Sequence, residues 1–123
     1  MKIRSHKELE VYILAFETAM KIFTISRRFP KEETYSLTDQ ILRSSRSVCG
    51  NIAEGFRKRK YPKSFIAKLT DSEGEAEETQ NWLDFCRACQ YISPEEFSEL
   101  DDRYEKIIGK LVIMSLHPEN WTW

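Results

Sequence analysis

The 123-residue chain contains no apolar run approaching the roughly 20 residues of a membrane span, and its opening stretch, "MKIRSHKELEVY", has none of signal-peptide length. The expectation is a soluble, cytoplasmic protein with no membrane partner. Cysteine is scarce: three residues, an odd number, make no disulfide framework and fit a reducing compartment. Histidine is scarcer, with His6 and His117 near opposite ends and neither at useful spacing from a nucleophile or metal partner. No glycine-rich phosphate loop occurs, and the Glu-x-x-His pairs of di-iron bundles are absent. The densest carboxylate run, "DSEGEAEE", carries its glycine in the wrong place for a calcium loop and reads as a solvated helix face. "CRAC" places Cys86 and Cys89 late in a helical pattern rather than after a strand, where a redox thiol would gain its low pKa, and zinc would need two more ligands. These absences argue against an enzyme, a metal centre and any cofactor. The sequon Asn120-Trp121-Thr122 carries no weight without a secretory signal.

Breakers are as sparse as ligands. Four glycines and four prolines leave long stretches of helix formers, with neither a strand signal nor an internal repeat. The pattern predicts one domain, residues 1–123, of four amphipathic helices. The first covers about residues 5–28, opened by the Ser-x-x-Glu form of a capping box at Ser5. The second covers about 34–57, with Leu37, Ile41, Val48, Ile52 and Phe56 facing the core. Pro62 suits the first turn of a third, about 62–91. Its Phe65, Leu69, Ser72, Ala76, Thr79, Leu83 and Cys86 alternate spacings of four and three, as in a coiled-coil seam. Ser93, Pro94 and Glu96 start the fourth, about 94–116, whose Phe97, Leu100, Tyr104, Ile107, Leu111 and Met114 run towards Pro118. Short connections make this an all-α, antiparallel up-down-up-down four-helix bundle.

Two helices carry more apolar surface than one core can take. Leu9, Tyr12, Phe16, Ala19, Met20 and Phe23 form one stripe of the first helix, and Val11, Ala15, Ile22, Ile25 and Phe29 form another. The third adds Trp82, Phe85, Cys89 and Ile92 beside its seam. A monomeric bundle uses one stripe per helix, so the excess favours a homo-oligomer over a bulky monomeric core.

Charge is nearly balanced overall, at −1, but unevenly placed: residues 1–70 hold 15 Lys/Arg against 7 Asp/Glu, and residues 71–123 hold 4 against 13. The halves either neutralise one another within the fold or present a basic surface to polyanions. "SSRSVCGNIAEGFRKRK", residues 44–60, concentrates the question. Ser44, Ser45, Ser47, Cys49, Gly50, Ala53 and Gly55 allow close helix approach, and Gly50, costing about 1 kcal/mol of helix propensity, asks for a tertiary reason. Gly55 looks like the fraying helix end. Asn51 and Glu54 fix helix register or a subunit contact if buried; a catalytic carboxylate is the sharper alternative.

"SVCGNIAEG" resembles the Ser-Ile-x-x-Asn-Ile-Ala-Glu-Gly signature of the bacterial four-helix bundle family that includes the 23S ribosomal RNA intervening-sequence proteins. "LEVYILAFETAMKIF", "RFP" and "ETQNWLDFCRACQYI" are similar, in order, to that family's first helix, Phe-Pro turn and third helix. Cys49 stands where many relatives have proline, Glu75 where a serine is usual, and Gln90 where glycine is common. The resemblance implies a bundle that assembles as a ring-like homopentamer. It also implies that some relatives are encoded within ribosomal RNA genes and that others assist reverse transcriptases by binding nucleic acid.

Two functions remain. One is a non-enzymatic module binding RNA, or DNA, through some of Arg43, Arg46, Arg57, Lys58, Arg59, Lys60 and Lys63. The other is a scaffold for a partner protein, with the basic run merely solubilising.

Overall fold

The Ser-x-x-Glu sequences at Ser5 and Ser93 form capping boxes, with different outcomes. In the computed structural model, which describes residues 3–121, Ser5 and Glu8 cap a single 3-10 turn, His6–Glu8, and Leu9 then turns extended (φ −72°, ψ 129°) before helix α1, Glu10–Ser26. The helix expected from about residue 5 is therefore divided. Leu9 is 3% exposed, and the break lets it plug the bundle end, where burying a leucine is worth about 2 kcal/mol. Ser93 and Glu96 instead cap α4, Pro94–Leu116, directly. Residues 1, 2, 122 and 123, at the limits of the expected domain and including the last position of the sequon, lie outside the described residues.

Helix α2 spans Leu37–Arg57 rather than starting near Thr34, because Pro30 opens a 3-10 turn at Lys31–Glu33 and the Glu33 carboxylate accepts the Leu37 N–H at 3.3 Å. Helix α3 spans Pro62–Ala88 and stops short of residue 91. At its end the Tyr91 N–H reaches the Cys86 carbonyl and the Gln90 N–H the Arg87 carbonyl, both at 2.9 Å, which is the Schellman arrangement. It places Gln90 at φ 64°, the left-handed conformation that glycine adopts more readily than a residue with a side chain.

The four helices pack in a square. Helices α1 and α3 each touch α2 and α4 but not one another, so they are diagonal. Cross-helix pairs set the directions: Glu10 with Lys110, Lys21 with Glu99 and Arg28 with Glu96 run α1 against α4, and Ser44 with Thr79 and Val48 with Ser72 run α2 against α3. Among the described residues there is no strand. The core contains the α2 and α3 residues predicted for it, together with Val11, Ala15 and Ile22 of α1 and Leu100, Tyr104, Ile107, Leu111 and Met114 of α4. Ile92, expected on an outer ridge with Trp82 and Phe85, belongs to this core instead, because the Schellman turn folds it back inward.

Antiparallel order decides what meets at each end. The α2–α3 turn lies at the same end as the N-terminal turn and the C-terminus of α4. Glu33, Arg28, Tyr91 and Glu96 lie at the other, tied by Tyr91 Oη donating to Glu33 at 2.8 Å and by Arg28 Nη2 donating to both Glu96 oxygens at 3.0 and 2.9 Å.

Candidate nucleic-acid interface

The small residues of α2 serve its contact with α3. Ser72 Oγ donates to the Val48 carbonyl, and Thr79 Oγ1 to Ser44 Oγ, each at 2.8 Å inside the core. The close approach itself is at Gly55, where an added Cβ would stand 3.0 Å from Lys68 Cβ and 3.6 Å from the Phe65 carbonyl oxygen. Gly55 is thus a packed position and not a fraying end. Gly50 is exposed, with nothing within 4 Å of where its Cβ would be, so the tertiary reason expected there belongs to Gly55.

Asn51 and Glu54 also part company. Asn51 Nδ2 donates at 2.9 Å to the Ser47 carbonyl of its own helix and, among the described residues, makes no bond to a neighbouring helix. Glu54 reaches Lys58 one turn on, at 3.1 Å, and Lys68 of α3, at 3.3 Å. Hydrogen bonds from Lys58 and then Lys68 hold its carboxyl below the usual carboxylate range. It therefore clips α2 to α3 beside Gly55. Lys68, which sequence reasoning missed, is the partner; its spacing from Pro62 would have put it on the first turns of α3 but not against Glu54.

The seven basic candidates divide into two groups. Arg57, Lys58, Arg59, Lys60 and Lys63 converge where α2 turns into α3. Arg43 and Arg46 lie 14 and 11 residues before Arg57, which is about 21 and 16 Å along the helix. Arg43 lies 3.9 Å from Asp39, and Arg46 sits over the Phe23 ring at 5.9 Å, so these two join a separate mid-helix face. In the turn, Arg59 lies 3.7 Å over the Phe56 ring and donates to the Phe56 carbonyl at 2.9 Å. Lys60 lies 5.2 Å from the Tyr61 ring centre. Arg57 and Lys63 make no ion pair among the described residues.

Two of the three thiols are buried, and Cys89 is exposed. Burial raises the pKa of Cys49 to about 11 and, with Cys89 adding to it, that of Cys86 to about 12, so both stay protonated at neutral pH. Among the described residues no group of His, Cys, Asp or Glu could hold a metal ion, and no helix is long and apolar enough to cross a membrane.

An antiparallel four-helix bundle with cations gathered at one end is the class that fold and surface define. Within it, the chain belongs to the 23S rRNA-intervening sequence protein family, whose sequence profile matches residues 7–112. A crystal structure from Bacteroides thetaiotaomicron, described as a protein of unknown function from the S23 ribosomal protein family, is similar. Its TM-score is 0.77 at 27% identity, over 85% of this chain and 97% of that one. No curated protein matches.

Proposed function

We propose that this protein is a cytoplasmic, non-enzymatic bundle that assembles with copies of itself and binds nucleic acid, RNA in preference, through the basic α2–α3 turn. The observation that carries this function is the convergence of Arg57, Lys60 and Lys63 on one exposed turn, where none of the three makes an ion pair among the described residues while Lys58 pairs with Glu54. Each phosphate neutralised by such a group releases counterions, so affinity arises without reading bases. The family's association with 23S rRNA favours RNA.

Self-assembly rests on a second observation. Phe16 and Met20 of α1 are 51% and 47% exposed, and Phe85 of α3 is 51% exposed beside the half-buried Trp82. Diagonal helices present these two apolar faces in opposite directions. A contact of one face with the other on the next copy is heterologous and closes a ring when the rotation allows, for which the family resemblance implies five subunits. Repetition of the basic turn around a ring turns weak contacts into useful avidity.

Filter binding with mixed RNA and DNA at two salt concentrations tests the function. Binding is expected to be largely sequence-independent and to weaken steeply between about 50 and 200 mM salt. Replacing Arg57, Lys58, Arg59 and Lys60 together with Glu is expected to abolish it while light scattering behind a sizing column reports an unchanged oligomer. A parent that binds nothing at low salt refutes the function and leaves the scaffold role, for which the face of exposed Phe85 and half-buried Trp82 would be the docking surface. A monomeric mass at micromolar concentration refutes the assembly.

A further inference from the structure

The basic turn does not stand alone at its end of the bundle. The N-terminal turn returns to the same end, and a cleft of about 690 Å³ opens between them, walled by Arg4, Ser5 and His6 on one side and Arg57, Arg59 and Lys60 on the other. Among the described residues no carboxylate lines it, whereas Glu17, Glu95, Glu96 and Glu99 line the groove between α1 and α4. Both walls are held in place. Glu8 accepts the backbone N–H groups of Arg4 and Ser5 at 3.2 and 3.0 Å, and the His6 ring packs edge-on against Tyr12 at 4.7 Å. Opposite them, Arg59 is fixed on Phe56 by its stacking and its carbonyl bond. A guanidinium already immobilised loses less rotamer freedom when it takes up an anion. Charge is crowded as well: burial and then the neighbouring Arg57 depress the pKa of Arg59, and neither Arg4 nor Arg57 has a carboxylate partner among the described residues.

We propose that this cleft binds a phosphate group, with Arg4 of the N-terminal turn as a ligand opposite Arg57, Arg59 and Lys60. The strand phosphates of RNA are one source, and for that source the inference rests on the function proposed above. A free phosphate or phosphate monoester is the other.

Anisotropy titrations of a short labelled single-stranded RNA against the parent, Arg4→Ala and Arg4→Lys test it. Arg4→Ala is expected to weaken binding on the order of ten-fold. It should also flatten the log–log salt dependence by about 0.7 for each strand phosphate given up. Arg4→Lys should restore most of both, with circular dichroism and sizing unchanged in either variant. Parent-like affinity and slope in Arg4→Ala, with binding still lost when the α2–α3 turn is changed to Glu, overturn the cleft and leave the nucleic-acid function standing. If the parent binds no RNA, that function fails, and titration with inorganic phosphate and adenosine monophosphate decides the cleft through the arginine Nε–Hε signals in NMR. Shifts that vanish in Arg4→Ala sustain it as a free-phosphate site; unmoved signals overturn it.

Discussion

Gly50 and Gly55 are the same residue in the same helix, and replacing each with Ala isolates the packing of α2 on α3. In helix propensity both changes gain about 0.8–1 kcal/mol. At Gly50 nothing lies within 4 Å of the new Cβ, so Gly50→Ala is expected to stabilise by nearly that amount. At Gly55 the new Cβ meets Lys68 Cβ at 3.0 Å, against an optimal carbon separation of about 3.5–4.0 Å. Lys68 Cβ is fixed to its backbone and no rotamer moves it away, and Phe65 and Leu69 already fill the space at 3.6 and 3.9 Å. Relief therefore requires moving the helices apart, and overpacking of this kind costs about 1–3 kcal/mol. Gly55→Ala is expected to be neutral to destabilising by about 2 kcal/mol, leaving the two variants about 1–3 kcal/mol apart. Urea unfolding at one protein concentration, with unchanged m-values, measures the difference directly. Equal stabilisation by both variants refutes the close approach. Gly50→Leu, which the small-residue motif alone would have marked as overpacking, is expected to be tolerated for the same reason.

Gln90→Gly is expected to stabilise by about 0.5–1 kcal/mol. A left-handed residue with a side chain costs about 1–2 kcal/mol, and part of that returns as the entropy glycine loses on folding. Thermal melts should rise by about 2–6 °C, and an equal gain from Gln90→Ala would refute the conformational cause. Burial, and then Glu78 beside it, raise the carboxyl pKa of Glu75 above its usual 4.5. The stability linked to its protonation is present below pH 4.5 and is lost as pH rises through the folded value, so charged Glu75 is a liability at neutral pH. Glu75→Gln should raise the melting temperature at pH 7 and confer a shrinking gain on acidification; a gain independent of pH refutes it.

Period and punctuation determined the secondary structure, because they act over one or two turns. The seam of α3 and the core faces of α2 and α4 follow from spacing alone, and the basic turn follows from adjacency, since residues 57–63 stay together in any fold that turns there. What needs two segments at once could not be read that way. Gly50 and Gly55 differ by five residues, or about 140° around the helix, and only the position of α3 decides which of them is crowded. Ser5 and Glu8 make the local cap the sequence announces, yet the helix starts five residues after Ser5 because the bundle end draws Leu9 inward. Arg4 faces Arg57 across a cleft although 52 residues separate them in the chain, and Glu54 meets Lys68 from the next helix. Local free energies of a fraction of a kcal/mol per residue choose helix. The tertiary contacts that choose which helix faces meet depend on the antiparallel order of all four.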